Sequence, residues 1–507
     1  MQAVLTAGCL FASGCGLALA FLPGFWWLVL WLPAGAFMAL RGAGWRRGLI
    51  GGWLWGLGFY LTLGVWAAPV FEQRADSPLY AGIALAIAAL WLSAFHALFG
   101  VVVGVASPTK PLAWAVLLAC GWTVAQWLRQ LGAYGFPWGQ LSVALTQQPL
   151  WIQTADLGGV WLVEWGIAFW NALLGNFVRS VAQHRALRGQ SAALGAVLAM
   201  VAGLAWAYGR LRLERYQSLA LGEPMIRVGV LQHPRGIIAE QAAQALDRWC
   251  AEARQRTLSW LVLPESTARV DPADADWQRW LQRARQFNGT LLLGVGRRVE
   301  GNLPANSACV LSPRLELSCY DKVMPMPFTE TRPLLPRLAF WQRLGINPNH
   351  SLKAGTYPRA LVGADGAKVG ALICGESMYG WAARAMVRDG AQWLAVLSND
   401  HWLPSRMVRQ QFAQYCALRA VECRRWLVRA SPTGFSGVWT PAGTWRGPAP
   451  DEPALWVDVI GVRSDWTLWT RWGDWVIYFS IACLVIGLLP RVVSGFSFRG
   501  STDDPMR

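Results

Sequence analysis

The 507-residue chain is too long for one ordinary domain. Only 15% of its residues are charged and 54% are hydrophobic, against about 25% charge in a typical soluble protein, which argues against a wholly water-soluble fold. The net charge of +16 is scattered over loops flanking apolar runs, a pattern that fits an anionic lipid surface and not a nucleic acid. Ten Cys without a C-x-x-C pair and five dispersed His give no zinc-like spacing, so no metal is expected, and nothing implies another cofactor.

In chain order, eight segments reach or approach the ~20 apolar residues that a bilayer requires. They are roughly 3–22, 24–40, 49–69, 80–106, 111–129, 156–178, 191–209 and 473–490. The first has no basic residues before it and is followed directly by further spans, so it reads as a span and not as a signal peptide. The expected organisation is a transmembrane bundle over 1–210, a soluble domain over 223–466, a last transmembrane helix over 473–490 and a tail over 491–507. Basic residues choose the orientation. Arg41, Arg46, Arg47, Lys110, Arg179, His184, Arg185, Arg188, Arg491, Arg499 and Arg507 all fall on one side, whereas Arg74 on the other side is offset by Glu72 and Asp76. Both termini and the tail are then cytoplasmic, and the soluble domain lies in the periplasm of a Gram-negative cell, anchored in the inner membrane. The loop Tyr134-Gly135-Phe136-Pro137-Trp138-Gly139-Gln140 reads, on pattern alone, as an interfacial aromatic belt with a turn. Glu164 is the one charge within a span, close to an end, and reads as interfacial; a transporter would need more.

The soluble domain alternates strands and helices. Strands are predicted at 226–232, 260–263, 290–297, 306–312, 315–321, 369–374, 392–397 and 426–431, and helices at 238–257, 276–286 and 405–424. Near-continuous apolar strands between helices imply an α/β sandwich. The Pro-rich stretch 331–366 reads as a long loop, a lid or membrane-facing arm. Three polar residues sit at strand ends, where α/β sheets place reacting groups: Glu265, Lys322 and Cys374. Taken singly, each has an ordinary reading as a solvated cap, a surface cation or a core thiol. Together they form an acyl-transfer site without His or metal: the acid takes the thiol proton, and the Lys faces the oxyanion.

The words around these residues are more specific. Leu263-Pro264-Glu265-Ser266, Tyr320-Asp321-Lys322 with Pro327-Phe328-Thr329-Glu330, Ile373-Cys374-Gly375-Glu376 and Ser398-Asn399-Asp400-His401-Trp402 resemble the nitrilase (carbon–nitrogen hydrolase) superfamily, and within it the apolipoprotein N-acyltransferases. Gly135-Phe136-Pro137-Trp138 and Leu157-Gly158-Gly159-Val160 resemble the membrane half of that family. The resemblance implies an αββα sandwich on a multi-pass bundle, with Cys374 as nucleophile, Glu265 as general base and Lys322 at the oxyanion. It implies supporting roles for Glu330, Glu376 and Asn306, Glu376 being equally readable as a buried ion-pair partner of Lys322. Asn399, Asp400 and Trp402 are candidates for the substrate wall, with turn formation the ordinary reading of the first two.

The sequence departs from the family pattern at Gly375, where Tyr is common, at Thr329 in place of Gly, at Thr331-Arg332 in place of an aromatic-Val pair, and at His233-Pro234 after Gln232. The implied reaction moves a fatty acyl chain from a phospholipid, phosphatidylethanolamine, through a cysteine thioester to the N-terminal α-amine of a diacylglyceryl apolipoprotein, on a monomer. The rivals are a membrane homologue with another acceptor or amidase activity, as in plasmid-transfer-associated proteins, and a silent lipid- or lipoprotein-binding scaffold. A silent scaffold is expected to lack an abnormally acidic thiol at Cys374.

Overall fold

The computed structural model describes residues 2–106, 110–183, 188–218, 222–232, 239–270, 275–331, 339–346 and 351–497. His184, Arg185, His233, Pro234, Arg332, Arg499 and Arg507, singled out above, lie outside them.

The first half is helical: α1 (Gln2–Ala18), α2 (Leu32–Leu40), α3 (Trp45–Val65), α4 (Ala68–Glu72), α5 (Pro78–Val105), α6 (Pro111–Leu128), α7 (Leu141–Leu145), α8 (Ala155–Ala182) and α9 (Arg188–Tyr216). Among the described residues six helices are long and apolar enough to cross a membrane, at Gln2–Phe21, Trp45–Val65, Pro78–Val105, Pro111–Leu128, Ala155–Ala182 and Gly189–Tyr216. The second and eighth expected spans correspond to shorter apolar helical segments, Trp26–Leu40 and Trp475–Leu488. Local chemistry sets the helix starts. Ser77 caps α5 by accepting from Tyr80 N at 3.4 Å, and Pro78 occupies its first turn, where its missing N–H is no loss.

Helix α8 breaks at Gly158 and at Gly159, whose φ is +67°. A Cβ on Gly159 would lie 2.4 Å from Trp469 Nε1, so only glycine lets this backbone approach. Glu164, one turn further on, is not interfacial. It is fully buried, and its carboxylate accepts from Trp122 Nε1 and Ser142 N, both at 2.8 Å. Donors within the bundle replace the water it was expected to need.

The second half is a sandwich of two sheets. Its strands are β1 (Met225–Gln232), β2 (Trp260–Val262), β3 (Ala268–Val270), β4 (Thr290–Val299), β5 (Leu303–Leu311), β6 (Leu317–Asp321), β7 (Ala360–Val362), β8 (Lys368–Ile373), β9 (Trp393–Leu397), β10 (Leu427–Ala430), β11 (Gly437–Trp439), β12 (Trp445–Arg446) and β13 (Ala454–Gly461). The helices are α10 (Ala239–Gln255), α11 (Ala275–Phe287), α12 (Ala339–Arg343), α13 (Gly380–Arg388), α14 (Arg406–Cys423) and α15 (Leu468–Trp472), before the final α16 (Trp475–Ser497). One sheet runs β13-β1-β2-β4-β5-β6 with β3 beside β4, and the other runs β12-β11-β10-β9-β8-β7. Their inner faces meet at Trp260 and Trp393, both fully buried, with ring centroids 5.0 Å apart at 85°. Helices α10 and α11 cover the outer face of the first sheet through Leu246, Trp277 and Trp280. Helices α13 and α14 cover the second, so the layers are α, β, β, α. Cys309 and Cys319, directly opposed on β5 and β6, form a disulfide.

Helix α14 faces two ways. It covers the second sheet and also packs on α8, joining the halves. Glu422 accepts from Val160 N at 2.8 Å, beside the α8 break. Arg424 donates to Asp156 Oδ2 at 2.8 and 2.9 Å and to Gln153 Oε1 at 2.7 Å, with Arg424 and Asp156 each 1% exposed. Removing one side of a buried ion pair strands the other charge. Arg212, 3.0 Å from Asp156, remains as partial compensation. Arg424→Ala is therefore expected to destabilise the docked fold by about 3 kcal/mol, read as a lower unfolding temperature in detergent. An unchanged temperature would show that the pair contributes nothing to docking.

Candidate active site

The loop 134–140 is not a lipid-facing belt. Its carbonyls receive the catalytic domain: Tyr379 donates to Gly135 O at 2.7 Å, and Tyr415 donates to Pro137 O at 2.9 Å. Trp138 is buried and donates to Gln411 at 2.9 Å. The loop thereby fixes the domain over the bundle at the edge of the catalytic cluster.

The strand ends bring Glu265, Lys322 and Cys374 together. Glu265 follows β2, and its backbone passes so close to β4 that a Cβ on Gly294 would lie 2.4 Å from Glu265 Cα. Lys322 follows β6, its N–H donating to Asn306 O at 2.9 Å. Cys374 follows β8 with φ +50°, a left-handed conformation uncommon for a side-chain-bearing residue. The turn holds it there: Ser377 Oγ donates to Cys374 O at 2.9 Å, and Ile373 N donates to Glu376 Oε2 at 2.9 Å.

All three groups are buried. Lys322 Nζ lies 2.7 Å from Glu330 Oε2 and 3.6 Å from Glu265 Oε1. Asn306 donates to Glu265 Oε1 at 2.7 Å and to Glu330 Oε1 at 3.4 Å, and the Glu265 charge acts on the Cys374 thiol. The two carboxylates thus divide the work. Glu330 neutralises the Lys, leaving Glu265 facing the thiol. Among the described residues Glu376 is not within ion-pair distance of Lys322, whose partners are Glu330 and Glu265. It accepts from Tyr320 Oη at 2.7 Å and from the backbone N–H groups of Val323 at 2.6 Å and Met324 at 3.1 Å. One buried carboxylate therefore ties the Lys322 strand to the Cys374 turn.

Burial dominates the electrostatics. Desolvation, and then the Glu265 charge, push the Cys374 thiol up to about 12. A thiol held up in this way is protonated near neutrality, so a nucleophilic role for it calls for a base. Desolvation also raises Glu265, against the pull of Lys322, which makes its carboxylate a stronger base than an exposed one. For Lys322 desolvation opposes the charge, but Glu330 and then Glu265 outweigh it and hold the ammonium above its ordinary value. Acylation is accordingly expected to fall on the acid side as Glu265 protonates, with the inflection above the usual carboxylate range, while Lys322 stays charged through neutrality. Initial acylation rates between roughly pH 4 and 9 would read this. A rate still undiminished at the ordinary carboxylate value would contradict it.

Asp400 is committed elsewhere. Its carboxylate holds Arg429 Nη2 at 2.8 Å through both oxygens and accepts from Ser398 Oγ at 2.7 Å, with both members of the ion pair buried. Asn399 caps the following turn by accepting from His401 N at 3.4 Å. Trp402 does reach a cavity. This space of about 450 Å³ is bounded by Val70, Leu85 and Leu92 of the bundle, by Phe136, and by Met326 and Trp402 of the domain. The Met326 methyl comes within 2.9 Å of where a Gly375 Cβ would stand, so glycine there leaves room for the cavity wall. The Arg429 partner of Asp400 was not legible in the motif, because it lies 29 residues further along the chain.

A family model described as the apolipoprotein N-acyltransferase N-terminal domain matches residues 13–173. One described as carbon-nitrogen hydrolase matches 227–453. The apolipoprotein N-acyltransferase of Gloeobacter violaceus is 30% identical over 74% of this chain and 71% of its own. The chain belongs to the apolipoprotein N-acyltransferase family. The Azotobacter vinelandii member of the family is 28% identical over 94% of this chain and 93% of its own. Among solved structures, the carbon-nitrogen hydrolase from Helicobacter pylori G27 is similar at 17% identity and a TM-score of 0.36, covering 46% of this chain and 89% of that one. Family membership makes the chain a membrane-borne N-acyltransferase, and it disfavours both the amidase and the silent-scaffold alternatives.

Proposed function

We propose that this enzyme transfers a fatty acyl chain from a phospholipid, with phosphatidylethanolamine as donor, through a thioester on Cys374, to the α-amine of diacylglyceryl-cysteine on apolipoproteins. The observation that carries the reading is an apolar cavity walled partly by membrane helices and partly by Met326, which packs against Gly375 beside Cys374 in the Glu265–Lys322–Cys374 cluster. In the first step Glu265 takes the thiol proton as Cys374 Sγ attacks the ester carbonyl. The oxyanion develops beside Lys322. Collapse expels the lysophospholipid alkoxide, which recovers the proton from Glu265. In the second step the acceptor amine attacks the thioester, Glu265 takes a proton from it, and the Cys374 sulfur leaves and is reprotonated. Asn306 and Glu330 hold the acid and the Lys in place, and Glu376 and Asp400 fix the turns that carry them. Asn399 and Trp402 belong to the wall on the substrate side.

The catalytic domain is periplasmic in this reading, and the protein sits in the inner membrane. Arg41, which donates to Asn176 at 2.6 Å and shares a charge environment with Arg179, marks the far end of α8. The catalytic domain docks on Val160 at the near end. Arg41 and Arg179 thus lie at the opposite end of α8 from the docked domain, which supports a positive-inside reading of the orientation.

The test is incubation of purified enzyme with phosphatidylethanolamine and a synthetic diacylglyceryl-cysteine peptide. The expected products are N-acylated peptide and lysophospholipid in equal amounts. Release of free fatty acid with no modified peptide would favour a hydrolytic enzyme instead.

A further inference from the structure

The wall of the cavity is hydrocarbon and aromatic almost throughout, and among the described residues it carries one formal charge, Arg74. Arg74 lies in the turn between α4 and the Ser77 cap of α5. That turn lies between two apolar helices long enough to span a membrane, at the end of them that contacts the domain. Its guanidinium donates to Thr329 Oγ1 at 3.1 Å and stacks over the Trp402 ring at 5.0 Å. Neither partner is charged. Glu72 and Asp76 share the turn, yet neither forms an ion pair with it among the described residues. A guanidinium offers five N–H donors in a planar fork, and in this exposed one a single donor has a protein acceptor among the described residues.

Fatty acyl chains do not explain a held, unneutralised cation at the rim of a hydrocarbon cavity. A phosphodiester does, because an Arg fork binds phosphate through paired, charge-assisted hydrogen bonds. We propose that Arg74 recognises the phosphodiester of the acyl donor and so sets its register against Cys374. This rests on the phospholipid-donor reading above and deepens it to a named residue. The loops that hold Arg74 are those that frame the chemistry. Thr329 precedes Glu330, the counter-ion of Lys322, and Trp402 follows Asp400, which is locked to Arg429. Phosphate and ester are separated only by the glycerol backbone, so fixing one positions the other. The adjoining hydrocarbon wall assigns the phosphate to a lipid and not to the free ion. Arg343, nearby, is engaged with Tyr80 Oη at 2.7 Å and is the lesser candidate.

The experiment follows acyl-enzyme formation by intact mass in wild type, Arg74→Ala and Arg74→Lys. Two donors are compared: phosphatidylethanolamine, and the p-nitrophenyl ester of the same fatty acid, which has no phosphate. Arg74→Ala is expected to slow acylation by the phospholipid about 10- to 100-fold and to slow the nitrophenyl ester far less. Arg74→Lys is expected to fall between, since it keeps the charge without the fork. Equal slowing with both donors would mean that Arg74 only braces Thr329 and Trp402, and no slowing with either would remove it from recognition; each overturns the proposal. A wild-type protein acylated by the nitrophenyl ester but not by the phospholipid would instead sink the donor reading itself, and this proposal with it.

Discussion

Cys374→Ala is expected to leave a folded, docked protein that transfers no acyl chain. The substitution removes only Sγ from a residue whose backbone is fixed by its neighbours: the turn bonds of Ser377 and Glu376 do not involve the thiol. The docking contacts of Tyr379, Tyr415 and Glu422 lie outside the thiol's surroundings. No other described cysteine can stand in. Cys416 and Cys423 are buried within α14, and Cys250 is buried in the outer layer against α11. Loss of a nucleophile from a cooperating set reduces turnover on the order of 10⁶-fold, to background. Cys374→Ser is expected to fare little better, because Glu265 would have to deprotonate an alcohol far less acidic than a thiol. Activity close to wild type in a folded Cys374→Ala protein would end the thioester mechanism.

Glu265→Gln is expected to lower the acylation rate by about 10²- to 10⁴-fold, the range of a lost general base. The amide keeps an oxygen for the Asn306 bond, and Lys322 keeps Glu330 as counter-ion, so the cluster survives in outline. What disappears is the proton acceptor for a thiol that burial holds near 12. The pH profile supplies a second readout. In wild type the rate falls as Glu265 protonates. In Glu265→Gln the residual rate should climb with pH toward ionisation of the thiol itself, since no carboxylate then assists. A variant that keeps the wild-type profile would show that another group takes the proton.

The strand ends carrying Glu265 and Cys374 were readable because each ends a run of apolar residues that reads as a buried strand, and Lys322 because it ends the second strand of a hairpin. β2, β6 and β8 lie where those runs predicted them. The long helix α14 was equally legible, but its double duty was not. It is buried on nearly all sides, Gln411, Arg419 and Glu422 included, and the local pattern does not say which face meets which partner. Strand β13 was missed because it is only half-buried at the edge of its sheet, where alternation is weak. Helix α13 was missed because it is short and begins directly after the Cys374 turn. The Glu376 role hid for a different reason. Its acceptors are satisfied by Tyr320 and two backbone N–H groups more than 50 residues earlier, and long-range backbone donors leave no mark on composition. Glu164 was misplaced by the same limitation, since Trp122 and Ser142 become its donors only once α6, α7 and α8 pack. Arg74 looked like one more loop charge balanced by Glu72 and Asp76. Only the fold sets it on Trp402 beside the cavity.

The most direct measurement is the intact mass of the purified protein after incubation with phospholipid in the absence of acceptor. The mechanism predicts a gain of one acyl chain on the wild type. It should be removed by hydroxylamine, absent from Cys374→Ala, and discharged when a diacylglyceryl-cysteine peptide is added. A folded wild-type protein that gains no mass, or an adduct that persists in Cys374→Ala, would contradict it.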